Sequence, residues 1–145
     1  MGNALLSDGS GQVLEDVAST KAILRFLLEN DPQIDPQSPP QNLQALDHRP
    51  SALTLETLTK AGHYLGVSLA NLSNAFDPDI IYLATEPQMA SRILLDQATQ
   101  SFQDHRLKLT PQVTPLQFMT ESRMWALGAA GFAVNRLLDL LSHQI

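Results

Sequence analysis

The chain has no cysteine among its 145 residues, which excludes disulfides, thiolate nucleophiles and thiolate metal ligands. Cations are also scarce. Nine Lys and Arg against fifteen Asp and Glu leave a formal charge of −6, and no window gathers the basic residues. A phosphate-binding surface needs clustered Lys and Arg, so no direct contact with nucleic acid is expected. No apolar stretch approaches the roughly 18 residues of a membrane span. The first residues lack a basic region followed by an apolar run, and Leu6 stands where a myristoylation signal needs Ser or Thr. A cytoplasmic location is the expectation. The four histidines (His48, His63, His105, His143) lack metal-ligand spacing, so no metal is expected. Ser122 lacks the Gly-x-Ser-x-Gly setting of a hydrolase nucleophile, and the Gly- and Ser-rich residues 7–11 follow no strand that could make them a phosphate loop. No catalytic group and no cofactor emerge from these patterns.

What is present reads as one domain over residues 1–145. Hydrophobic residues make up 43% and charged residues 17%, which is the range of a chain with a real core. Residues 1–12 read as a loose arm. A helix is predicted over about 14–29, with Leu14, Val17, Ile23, Leu24, Leu27 and Leu28 forming its apolar stripe. Residues 30–50 hold five of the nine prolines and read as a mobile loop with one helical turn near Leu43–Asp47. The clearest element is a second helix over about 53–76. Leu55, Leu58, Gly62, Leu65, Leu69, Leu72 and Phe76 recur at spacings of three and four, which places them on one stripe. Gly62 and Gly66 each cost about 1 kcal/mol of helix propensity, which close packing against another element would offset.

Asp77-Pro78-Asp79 stops that helix, and the run Ile80–Ala84 reads as an interior strand covered on both faces. Pro87 is expected to open a third helix running to His105, with Met89, Ile93, Leu94, Ala98 and Phe102 inward. A second strand is expected over 107–113, giving a parallel pair joined by a helical crossover. A last helix from about residue 120 carries Met124, Leu127, Gly131, Val134, Leu138 and Leu141 on one stripe, with a flat face at 128–131. Two apolar parallel strands cannot shield themselves. Their missing neighbours must come from a longer parent protein or from a second copy.

The run from Ala61 to Leu83 resembles a segment of the ROK family of bacterial sugar-responsive repressors and sugar kinases. Leu14-Glu15-Asp16-Val17-Ala18-Ser19 looks like the family's Gly-Cys-Leu-Glu segment with its following Ala-Ser, and Trp125–Ala130 looks like its Gly-Ala-Ala helix. The three blocks agree in order and spacing. The resemblance implies a helix-rich α/β fold, the C-terminal part of an actin-like, ribonuclease-H-like fold with a small, mainly parallel sheet. It also implies that Glu15 accepts hydrogen bonds from sugar hydroxyls, for which a carboxylate is suited.

The departures are as informative. The family's zinc-binding His and Cys cluster corresponds here to Asp8–Val13, without a thiolate, so that site cannot form. The glycines that admit nucleotide in the kinases are replaced by Ala84, Thr85 and Glu86. The family's N-terminal half and the repressors' winged helix-turn-helix have no counterpart. The expected function is a non-catalytic sugar-effector and dimerisation module of a ROK-type regulator, or a remnant of one. The small-residue faces of the second and last helices would be its association surface. Alternatives are a fragment of a ROK-type sugar kinase and a domain that binds only protein. Expected partners are a second copy or the rest of a larger parent, with a small sugar as ligand.

Overall fold

The computed structural model describes residues 13–87, 90–107, 114–119 and 131–134. Its elements run α1 (Leu14–Ala18), α2 (Thr20–Asn30), a 3-10 turn (Gln44–Asp47), α3 (Ala52–Phe76), β1 (Ile81–Ala84), α4 (Arg92–His105) and β2 (Leu116–Met119). The helix predicted over 14–29 is therefore two helices. Ser19 is extended, at φ −74° and ψ 145°, and its side chain accepts from the N–H of Ala22 at 3.2 Å. A serine that can cap a new helix competes with continuing the old one, and here the cap wins.

α3 is the axis of the molecule, and its extent agrees with the sequence. Ser51 caps it by accepting from Thr54 N–H at 2.9 Å. Asp77 ends it in the left-handed conformation, at φ 43°, and donates its N–H to the Ser73 carbonyl at 2.9 Å. The buried stripe is Thr54, Leu58, Ala61, Gly62, Gly66, Leu69, Ala70 and Ser73. It is rotated from the predicted stripe, so that Leu55 is exposed and Phe76 is 76% exposed. The rotation follows from the glycines. A Cβ on Gly62 would collide with the Leu94 carbonyl oxygen and lie 2.9 Å from Gln97 Cβ; one on Gly66 would collide with the Ala98 carbonyl and lie 2.7 Å from Ser101 Cβ. α4 thus lies backbone to backbone on the glycine face. That face is used inside the molecule, which corrects its expected role as an association surface.

α4 begins at Arg92 rather than near Pro87. Its first-turn N–H groups are satisfied from Ser91, which accepts from Leu94 N–H at 3.3 Å, and from Asp47, which accepts from Arg92 N–H at 2.6 Å. Ile93, Leu94, Ala98 and Phe102 face inward as predicted, while Met89 lies outside the described residues.

Strand β2 also lies later than expected. Leu107 is exposed and gives its N–H to the side chain of Asn74 at 2.7 Å, so it joins no ladder. Residues 108–113 lie outside the described residues. Thr114 hydrogen-bonds the Pro78 carbonyl at 3.1 Å and brings the chain alongside β1. The pair is parallel, in register Ile81 with Leu116 and Leu83 with Phe118.

Two apolar clusters fill the interior. Ile23, Leu27, Leu43, Leu46, Leu58, Ala61 and Leu94 form the larger one, and burial of each large side chain contributes about 1.5–3 kcal/mol. Leu43 and Leu46 come from the proline-rich segment, which is therefore pinned to the core rather than mobile. Leu69, Ala70 and Phe102 form the second cluster, against which Ile81, Leu83 and Leu116 pack. Among the described residues only one face of the sheet is covered in this way. Tyr82, on the other, is 56% exposed, so β1 is not the doubly covered strand expected. Of the last predicted helix, residues 131–134 are helical, with Phe132 and Val134 exposed; the rest, including Trp125, lies outside the described residues.

Candidate functional site

A concavity of about 230 Å³ opens where α1, α2 and α3 meet. Three elements build it for simple reasons. α1 presents Asp16, in its exposed first turn, and Val17. α2 contributes Ala22, Ile23 and Phe26, spaced to share one face. α3 contributes Leu53, Glu56, Thr57, Lys60 and Ala61, again a single helical stripe. Ala22, Ile23 and Ala61 are buried and form an apolar floor, while the charged groups and a 44% exposed Phe26 ring form the rim.

The rim mixes acceptors and a donor. Asp16 and Glu56 are carboxylates, which only accept while ionised, and Lys60 is an ammonium, which only donates. Glu56 and Lys60 are one helical turn apart, yet the single ion pair among the described residues is Arg92 with Asp96, at 3.7 Å on the surface. The Lys60 Nζ instead lies 6.0 Å from the centroid of the Tyr64 ring, which attracts it electrostatically. The carboxylates of the rim therefore stay available to a ligand's donors. The Thr57 hydroxyl donates to the Leu53 carbonyl at 2.7 Å.

Glu15, the sugar-contact residue implied by the resemblance, stands exposed in the first turn of α1, beside Asp16 in sequence and outside the cavity lining. Sequence reasoning did not single out Asp16, Glu56 or Lys60. The spacing of Glu56 and Lys60 on one helix face was the available signal, but their meeting with α1 depends on the break at Ser19.

His63 is one of the four histidines that lack metal-ligand spacing. Its Nδ1 lies 3.1 Å from the Ser101 hydroxyl, which also accepts from Gln97 at 3.1 Å, and its ring meets His105 edge-on at 5.6 Å between centroids. Ser101 is buried between α3 and α4 with no space for a substrate, so the pair packs helices together. Asp77 and Asp79 serve the helix stop and the turn into β1, as expected. No group of three or more metal-ligating side chains occurs among the described residues. No helix among them is long and apolar enough to cross a membrane.

A helix-rich α/β architecture with a small parallel sheet is shared with proteins of known structure. A protein of Cytophaga hutchinsonii assigned as a sugar kinase superposes with a TM-score of 0.67 at 19% identity, over 92% of this chain and 47% of its own. The ROK hexokinase of Thermus thermophilus superposes with a TM-score of 0.58 at 21% identity, over 81% of this chain and 39% of its own. A ROK family transcriptional regulator, a homologue of the Escherichia coli MLC protein, gives 0.56 at 22%, over 79% and 30%. The chain thus spans less than half the length of these structures, and the resemblance read in its residues is met at the level of fold. No protein-family model matches the chain. No curated protein matches it.

Proposed function

We propose that the chain is a non-catalytic sugar-effector and assembly module of a ROK-type transcriptional regulator, or a remnant of one, corresponding to the C-terminal part of an actin-like fold. The observation that carries this reading is the asymmetry of coverage. The likeness takes in 92% of this chain but only 47% of the sugar kinase, so most of such a machine lies outside these residues. The cleft beside Glu15 fits the effector role. Hydroxyls of a neutral sugar would donate to Asp16 and Glu56 of the lining and accept from Lys60, while the ring's C–H face would meet Phe26. A hydroxyl extending past the rim would donate to the neighbouring Glu15. A charge of −6 supports a module that does not itself touch DNA, and the cytoplasm is the compartment proposed for it. A second copy completes the assembly.

Calorimetry and thermal shift against a panel of neutral monosaccharides test the reading. A saturable shift that Glu15→Ala abolishes is the expected result. No response to any sugar would leave an interaction domain only. Two of the three solved structures are kinases, which favours a kinase fragment as the second reading. Binding of magnesium–ATP by the chain would select that reading and overturn the first.

A further inference from the structure

The break between α1 and α2 is one residue wide. Ser19 is extended, yet Leu14, Val17, Leu24 and Leu28 keep helical spacing across it. The local sequence therefore accommodates a continuous helix as well as a broken one. The Ala22 N–H marks the choice between them. In the structure it donates to the Ser19 hydroxyl oxygen at 3.2 Å, while the Ile23 N–H takes the Ser19 carbonyl at 3.0 Å. In a continuous helix the same Ala22 N–H would go to the Ala18 carbonyl, and the Thr20 and Lys21 N–H groups would reach the Asp16 and Val17 carbonyls.

Packing opposes that continuous helix. α1 is five residues long, too short to hold a helical shape by itself, and it has no buried residue. It rests on α2 and α3, with Ala18 half-buried against the larger core cluster and Val17 in the cleft wall. Returning Ser19 from ψ 145° to the helical value near −42° would swing everything before it by about half a turn around one bond. Asp16 and Val17 would then leave the cleft, whereas Ala22, Ile23 and the α3 stripe would stay.

We infer that Ser19 is the positioning residue of a two-state hinge: its capped state docks α1 and completes the cleft, and its continuous-helix state opens the cleft. A ligand held by α1 and α3 together makes its full contacts only in the capped state, so it draws the hinge shut. The direction in which the chain enters α1 then reports whether the cleft is filled. That coupling rests on the sugar-effector reading above; the hinge itself does not.

Substitutions at Ser19 separate the two states, because the residue lies outside the cleft lining. Alanine removes the cap and is the best helix former, whereas glycine keeps most of the cap's benefit and is poor inside a helix. The chain has no cysteine, so Glu15→Cys and Glu29→Cys place two spin labels uniquely. A continuous helix sets those positions about 21 Å apart along its axis, and α1 folded back onto α3 gives a shorter spacing. Ser19→Ala should add the longer population and slow the exchange of the Thr20 and Lys21 amides. Ser19→Gly and the capping variant Ser19→Thr should keep the short spacing. A cap with a merely structural role predicts the opposite sign, faster exchange when it is lost. One shared distance in all variants, or faster exchange in Ser19→Ala, would overturn the hinge. Any sugar of the neutral panel that binds should bind Ser19→Ala more weakly than Ser19→Gly, by roughly the fivefold worth of one cap. Equal affinities would overturn the coupling and leave the effector reading intact. A panel with no binder would defeat the effector reading, and the distances alone would then decide the hinge.

Discussion

Asp31, which ends α2, accepts a hydrogen bond from the hydroxyl of Ser51, which begins α3. The same carboxylate accepts from the Thr54 hydroxyl at 2.9 Å and from Gln33 N–H at 3.0 Å, and it is only 4% exposed. One side chain thus closes the proline-rich excursion between two helices. A second carboxylate repeats the device. Asp47 accepts from the Ser91 hydroxyl at 2.7 Å and from Arg92 N–H at 2.6 Å, tying the 3-10 turn to the start of α4.

Asp31→Ala should destabilise the chain by about 1–3 kcal/mol, because it leaves the buried Thr54 hydroxyl without its acceptor. Urea denaturation at neutral pH measures this. An effect within a few tenths of a kcal/mol would show that the clasp contributes nothing.

Acid should act through the same group. The hydrogen bond from Ser51 chiefly, with those from Gln33 and Thr54, holds the Asp31 carboxyl below the ordinary aspartate range despite its burial. A carboxylate lowered in the folded state contributes stability fully above its unfolded value, and loses that contribution as pH falls through the ordinary range to the lowered one. The parent chain should therefore lose stability in that acid window more steeply than Asp31→Asn does. Parallel acid limbs for the two proteins would refute the assignment.

Gly66→Ala should be destabilising although alanine is the better helix former. The gain in propensity is about 1 kcal/mol, whereas overpacking a closed contact costs about 1–3 kcal/mol or more. The new methyl would meet the Ala98 carbonyl and lie 2.9 Å from the backbone N of Phe102, neither of which is a flexible side-chain tip. A raised melting temperature would show that α4 is not seated on this face.

Asp47→Ala and Ser91→Ala should each cost about 1 kcal/mol, the usual value of a lost cap, and the double variant less than their sum. A double-mutant cycle by urea denaturation checks the coupling. Strict additivity would mean the two residues act separately.

At the cleft, Asp16→Asn and Glu56→Gln should each weaken any hydroxyl ligand by about tenfold, the worth of one charge-assisted hydrogen bond. The comparison with Glu15→Ala shows which carboxylate faces the ligand. If Glu15→Ala alone weakens binding, the cleft is not the site.

Much of the fold was legible in local signals. The α3 boundaries follow from Ser51 and Asp77-Pro78, and the parallel pair follows from apolar runs on either side of a helix. The misplacements share one cause. Ser19, Ser91 and Asn74 are hydrogen-bonding side chains whose chosen partners decide where helices restart and where β2 can begin, and periodicity counts only apolar residues. The proline-rich segment was misjudged for a similar reason, since two leucines, Leu43 and Leu46, suffice to anchor it. The cleft was not legible at all, because it joins side chains from three elements whose angles depend on that restart.

The amino-acid order by itself determined the charge balance, the absence of thiol chemistry, the long central helix with its glycines, and the likeness to sugar-acting ROK proteins. These depend on residue identity and local spacing, which a chain carries before it folds. The tertiary structure alone decided that the glycine face is spent on α4 and that Asp31 and Asp47 fasten successive helices. Those outcomes depend on which surfaces meet, and burial and hydrogen-bond satisfaction settle that only when the whole chain has been packed.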